Sequence, residues 1–113
     1  MIAQFLVGTI ASVINIMIHA LVIVGVIGIA RSTQLRRTSW SRLHLMAVMV
    51  SAATVLMVAH VLEVCVWALT YGIVGAAPTG SDLLYFGFVN YTTLGYGDIT
   101  PVEEWRLKGQ WPR

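Results

Sequence analysis

Two groups of residues in this 113-residue chain have types and spacings that could do chemistry. The first is Thr93-Leu94-Gly95-Tyr96-Gly97-Asp98. Glycine at alternate positions allows positive φ without a Cβ clash, so successive carbonyls can turn the same way toward one axis. The Thr93 hydroxyl would add an oxygen beneath them, which is a lining for a dehydrated cation. The same Gly and Asp residues also suit an ordinary turn, and the hexapeptide taken by itself leaves both readings open. The second group is His19, His60 and Glu63, a donor set for a metal or haem. His60 and Glu63 are three apart on one helix face and compatible with one ion, but no second histidine follows at i,i+4 and His44 lies far off.

These residues must be positioned by membrane helices. Hydrophobic residues make up 58% of the chain and charged residues 11%, and the apolar residues come in blocks rather than interleaved. Residues 5–30 hold no Asp, Glu, Lys or Arg, and residues 43–77 hold only Glu63. Each run exceeds the roughly 20 helical residues needed to cross a hydrocarbon core. The first run has no basic leader and is too long for a signal peptide, so it reads as a retained anchor. Arg31, Arg36, Arg37 and Arg42 fall in the connection between the runs with no acid among them, which places residues 31–44 in the cytoplasm and the N-terminus outside. Basic flanks beside apolar spans need no nucleic acid to explain them. The lone Cys65 implies no disulfide framework.

On the first span, Gly8, Ser12, Asn15 and His19 form one stripe that should pack against protein, with Asn15 and His19 in interhelical hydrogen bonds. Gly25 and Gly28 are expected to loosen its cytoplasmic end. On the second span His60, Glu63, Trp67 and Tyr71 share a face. Pro78-Thr79-Gly80 should break that span, with Ser81 capping a short helix over 82–92 and Asp82 complementing its dipole. At about 16 Å this helix is too short to cross a membrane. Entering from outside, it would point its partial negative C-terminus into the bilayer and favour a cation there. Tyr85, Phe86, Phe88 and Tyr91 would pack around it as a cuff.

Leu84 to Pro101 closely resembles the pore helix, filter and exit turn of the potassium-channel superfamily, particularly its small bacterial members. Thr93-Leu94-Gly95-Tyr96-Gly97-Asp98 is one conservative substitution from the Thr-Val-Gly-Tyr-Gly-Asp filter of that family. Looser similarity in hydropathy and order reaches back to about Leu43. The resemblance implies a homotetramer in the lipid bilayer in which Thr93, Leu94, Gly95, Tyr96 and Gly97 bind K+ and Asp98 stands at the outer mouth. It implies support of the filter by Glu63, His60, Trp67 and Thr92. A carboxylate facing lipid would cost about 2.5 kcal/mol or more, so Glu63 should be neutral, paired with His60, or turned to polar groups of the pore loop. Leu94 stands where the family has Val or Ile. Val89 stands where some bacterial members carry a Glu bonded to the Asp after the filter. Only 15 residues follow Asp98, with five charges among the last eleven, where the family has an apolar inner helix.

The sequence therefore predicts an all-α membrane protein. A first transmembrane helix occupies 1–30, a basic cytoplasmic loop 31–42, an outer pore helix 43–77, a re-entrant pore helix and selectivity-filter loop 78–101 and a polar tail 102–113. The expected function is a potassium-selective pore subunit of a bacterial inner membrane, read as truncated before the inner helix and so conduction-incompetent alone. No cofactor is expected beyond the permeant ion. The alternatives are a small membrane protein with a His/Glu metal or haem site, and a non-conducting subunit that modulates full-length channels. No nucleophile with its base and no phosphate loop is present to suggest an enzyme. A reporter active only outside the membrane should be silent when fused after Thr38 and active after Thr79. The reverse pattern would overturn both the orientation and the channel resemblance.

Overall fold

The computed structural model describes residues 1–34 and 41–106. Arg36 and Arg37 of the basic connection, and the tail from Leu107 onward, lie outside the described residues. The elements run α1 (Ile2–Gln34), α2 (Arg42–Val74), α3 (Leu83–Tyr91) and a 3₁₀ turn at Glu103–Trp105. Both α1 and α2 contain 33 residues, about 50 Å by the rise per residue, so each is long and apolar enough to cross a membrane. Neither has an amphipathic stripe in the soluble sense. Large side chains such as Ile10, Leu21, Met49 and Ile73 stand exposed, as expected of helices solvated by lipid. Gly25 and Gly28 do not interrupt α1, which runs through both to Gln34.

The chain forms two compact units, one of Met1–Val13 with Val64–Arg113 and one of Ile14–Glu63. In the first, α2 stops at Val74, before the proline expected to end it. Gly75 adopts φ +67° and the Ala76 N–H donates to the Tyr71 carbonyl, a left-handed terminus that glycine reaches without a Cβ penalty. The cap of α3 also differs from expectation. Asp82, not Ser81, is the N-cap: its Oδ1 accepts from Leu84 N at 2.9 Å and Tyr85 N at 3.1 Å. Ser81 donates instead to the Pro78 carbonyl. With extended backbone at Asp82, the carboxylate reaches the two orphan donors and its charge meets the positive end of the helix.

Packing of α3 within this unit depends on a close approach at Gly87. A Cβ there would meet Ala68 Cβ, Ala68 N and the Val64 carbonyl, each at 3.2 Å. The approach seats Phe86, 1% exposed, edge-on against Tyr71 at 4.9 Å between centroids, and Tyr71 stacks on Trp67 at 5.6 Å. The Val102 N–H donates to the Ala76 carbonyl, and Gln4 Nε2 donates to the Glu104 carbonyl. In the second unit Ala59 and Asn15 are buried. Asn15 Oδ1 has no hydrogen-bond partner among the described residues, so that atom does not make the interhelical bond expected of it.

Loss of the cap is a direct test of this arrangement. Asp82→Ala should destabilise the first unit by about 1 kcal/mol, measured by thermal unfolding in detergent. Ser81→Ala should cost clearly less, because its hydroxyl caps no helix; equal losses would contradict the assignment of the cap.

Candidate functional site

The hexapeptide singled out above follows α3 directly. Thr92 closes the helix by donating its N–H to the Phe88 carbonyl, and its hydroxyl donates to the same carbonyl at 2.7 Å. Thr93 N–H then donates to Asn90 O at 3.2 Å and Leu94 N–H to Val89 O at 3.0 Å. Beyond that point the backbone leaves helical geometry. φ is +57° at Thr93, +55° at Gly95 and +77° at Gly97, while Leu94 and Tyr96 do not share the positive sign.

This alternation has a structural consequence. A regular strand sends successive carbonyls to opposite sides. A φ that alternates in sign instead allows successive carbonyls to turn toward one side. Glycine takes the left-handed conformation freely, but a β-branched residue there costs about 1–2 kcal/mol. Thr93 is the only non-glycine among the described residues with positive φ, and strain of this kind concentrates where a backbone binds something. The glycines were legible in the sequence; the left-handed threonine was not. Leu94 and Tyr96 are exposed at 47% and 69% on the isolated chain.

Asp98 receives a hydrogen bond that the sequence did not reveal. The Tyr85 hydroxyl donates to its Oδ2 at 2.6 Å. This bond holds the Asp98 carboxyl below the usual aspartate range, and the same bond pushes the Tyr85 phenol above its ordinary value. Both effects describe one state, a protonated phenol serving an ionised carboxylate. Val89, where some bacterial members of the resembled family carry a Glu for this Asp, is apolar and buried and offers no partner. The only signal available was an aromatic hydroxyl early in α3. Beyond the loop, Arg106 donates from Nε to Pro101 O at 2.7 Å and from Nη2 to Thr100 Oγ1 at 2.9 Å.

Of the other predicted residues, Trp67 and Thr92 lie in the same unit as the loop, Trp67 on the aromatic stack and Thr92 at the end of α3. Glu63 and His60 lie in the second unit with His19. Glu63 is 3% exposed, with Oε1 3.0 Å from His19 Nδ1 and Oε2 3.2 Å from His60 Nδ1. Where the carboxylate is ionised it only accepts, and each ring then donates from Nδ1. Pairing with His60 is expected from the sequence, and so is an interhelical hydrogen bond from His19; the structure identifies Glu63 as the partner of that second bond.

In comparison with known proteins, a family model described as an ion channel matches residues 43–108, more than half of the chain. No curated protein and no solved structure matches.

Removing the phenol tests the Tyr85–Asp98 bond. In Tyr85→Phe the Asp98 pKa should rise toward the ordinary value of about 3.9, followed by carboxyl-carbon NMR across an acid titration. Because the folded-state pKa of Asp98 is depressed, the stabilisation is present above the unfolded value and lost as pH falls through the folded one. The stability gap between wild type and Tyr85→Phe should therefore be present at neutral pH and disappear in acid.

Proposed function

The chain belongs to the ion channel family, and we propose that it is a pore-forming subunit selective for potassium, four chains bringing their Thr93–Gly97 loops to one axis. The observation that carries this reading is positive φ at Thr93, Gly95 and Gly97 within Thr-Leu-Gly-Tyr-Gly. One chain supplies one wall of oxygens. Four supply successive rings of carbonyls that replace the hydration shell of a permeating ion, with Thr93 Oγ1 in the lowest ring.

The neighbouring elements support the same chemistry. α3 ends directly below the loop, and its C-terminal carbonyls carry a partial negative charge of about half an electron, favourable to a cation awaiting entry. At the other end of the loop, Asp98 held ionised by Tyr85 supplies negative charge that concentrates cations at the mouth. The half-exposed faces of Phe88 and Leu94 are the surfaces neighbouring copies would cover. Trp67 and Thr92 act as support, the first by stacking on the Tyr71 ring that holds Phe86, the second by closing α3. Leu94 in place of the family's Val or Ile keeps the carbonyl and changes only the side chain behind it. The Arg31–Arg42 connection orients the chain with the loop on the external side of the plasma membrane.

An ion bound only by the assembled loops stabilises the assembly by mass action, about 2.7 kcal/mol at a hundredfold excess over its dissociation constant. Purified protein should thus be tetrameric by chemical cross-linking, and its assembly should survive heating to higher temperature in KCl or RbCl than in NaCl or LiCl. Gly95→Ala should erase that difference. The added Cβ meets nothing closer than the Thr93 carbonyl at 3.8 Å, so the damage comes from the left-handed φ, about 1–2 kcal/mol in every chain. Gly8→Ala, where a Cβ meets nothing within 4 Å, should leave the potassium effect intact. A monomer, or equal stability in potassium and sodium, would overturn the proposal.

A further inference from the structure

Among the described residues of the second unit, His19 on α1 and His60 and Glu63 on α2 draw together in otherwise apolar spans. One nitrogen from each ring and one carboxylate oxygen lie within 4.8 Å of one another. We propose that His19, His60 and Glu63 form a divalent transition-metal site of the zinc class that ties α1 to α2, a function distinct from the conduction of potassium.

Three features of the cluster carry the proposal. The first is its donor set. Two imidazoles and a carboxylate are borderline ligands suited to zinc, and three protein ligands leave a fourth position for water or a further donor. Hard cations such as magnesium prefer oxygens alone and bind such a set poorly.

The second is geometry. The two rings lie 5.2 Å apart between centroids and 35° from coplanar. Two imidazoles on one tetrahedral zinc, with Zn–N about 2.0 Å, place their centroids about 5 Å apart. The donor atoms all lie within 4.8 Å of one another, and the widest separation must close toward the roughly 3.3 Å between ligands on such an ion, while each Nδ1 already stands 3.0 or 3.2 Å from an oxygen of Glu63. The histidine side chains, 36% and 44% exposed, have room to rotate, while the Glu63 side chain is 4% exposed and held. A fixed carboxylate with two adjustable imidazoles is a site that closes on its ion.

The third is charge. Glu63 is the single acid in residues 43–77, buried among apolar helices where an ionised group is costly. Histidine Nδ1–H donors soften that cost with neutral dipoles. A dication replaces them with direct charge compensation, each ring binding as the neutral tautomer so that no net proton is lost. The predicted consequence is a metal-dependent clamp between two spans, each of which contributes a histidine.

The test uses the full chain in detergent micelles. Titration calorimetry with ZnCl2 should show one ion per chain, and MgCl2 at the same concentration should give no binding. CoCl2 should produce the intense visible bands of a tetrahedral cobalt site and compete with zinc. His19→Ala and His60→Ala should each weaken zinc binding at least about tenfold, as should Glu63→Gln, which keeps the volume and removes the charge. His44→Ala, outside the cluster, should leave the affinity unchanged. Should the cluster variants fail to fold by circular dichroism, the wild-type cobalt spectrum still decides. No zinc heat with a weak octahedral spectrum would overturn the site, and so would a loss in His44→Ala as large as in His19→Ala. The potassium dependence of assembly is read on Gly95 and is independent of either result.

Discussion

A hydrocarbon bilayer offers no hydrogen-bond partner to an open backbone, and this constraint governs how the chain is organised. It makes α1 and α2 continuous helices whose peptide groups are satisfied internally, with large apolar side chains left outward. Irregular backbone at membrane depth is permitted only where protein or a water-filled path surrounds it. On the proposed reading the Thr93–Asp98 loop is such a backbone. Its left-handed residues leave regular hydrogen bonding, and on the proposed reading the missing partners are permeating ions and neighbouring copies of the loop.

The loop is held at both ends by different means. At its start α3 is set against α2 through Gly87, whose absent side chain lets the helix approach Ala68 and the Val64 carbonyl. Phe86 is pressed against Tyr71 by the same approach. At its finish the phenol of Tyr85 grips Asp98, so one short helix fixes the beginning of the loop covalently and its end by a charge-assisted hydrogen bond. On the proposed reading this stiffness serves selectivity, because an oxygen ring that collapses or dilates no longer distinguishes ions by their hydration.

Polar groups inside the spans are few, and each has a particular position. Glu63 draws two imidazoles from two helices into one cluster, converting a costly buried charge into a cross-link. Asn15, by contrast, leaves its carbonyl oxygen buried without a partner among the described residues, a penalty of about 1–3 kcal/mol unless another group meets it. A neighbouring subunit is one source of such a group.

Much of this protein was determined by its sequence. Two long apolar runs that hold a single acid between them, Glu63, are long enough to cross a membrane, and alternating glycines open left-handed conformations that other residues reach only at a cost; these are local properties. The end of α2 at Gly75, the capping role of Asp82 and the left-handed turn of Thr93 were decided by how the chain closes around Pro78 and α3. Competing local partners were available: Ser81 could cap as well as Asp82, and composition does not say which reaches the orphan donors. The pair Tyr85–Asp98 was legible least of all, and His19–Glu63 only as members of one candidate donor set. Their members are 13 and 44 residues apart, and helical periodicity identifies the face a residue occupies without naming what stands opposite. That choice belongs to tertiary packing, since hydrogen bonds form between atoms brought within about 3 Å and only the folded chain sets those distances.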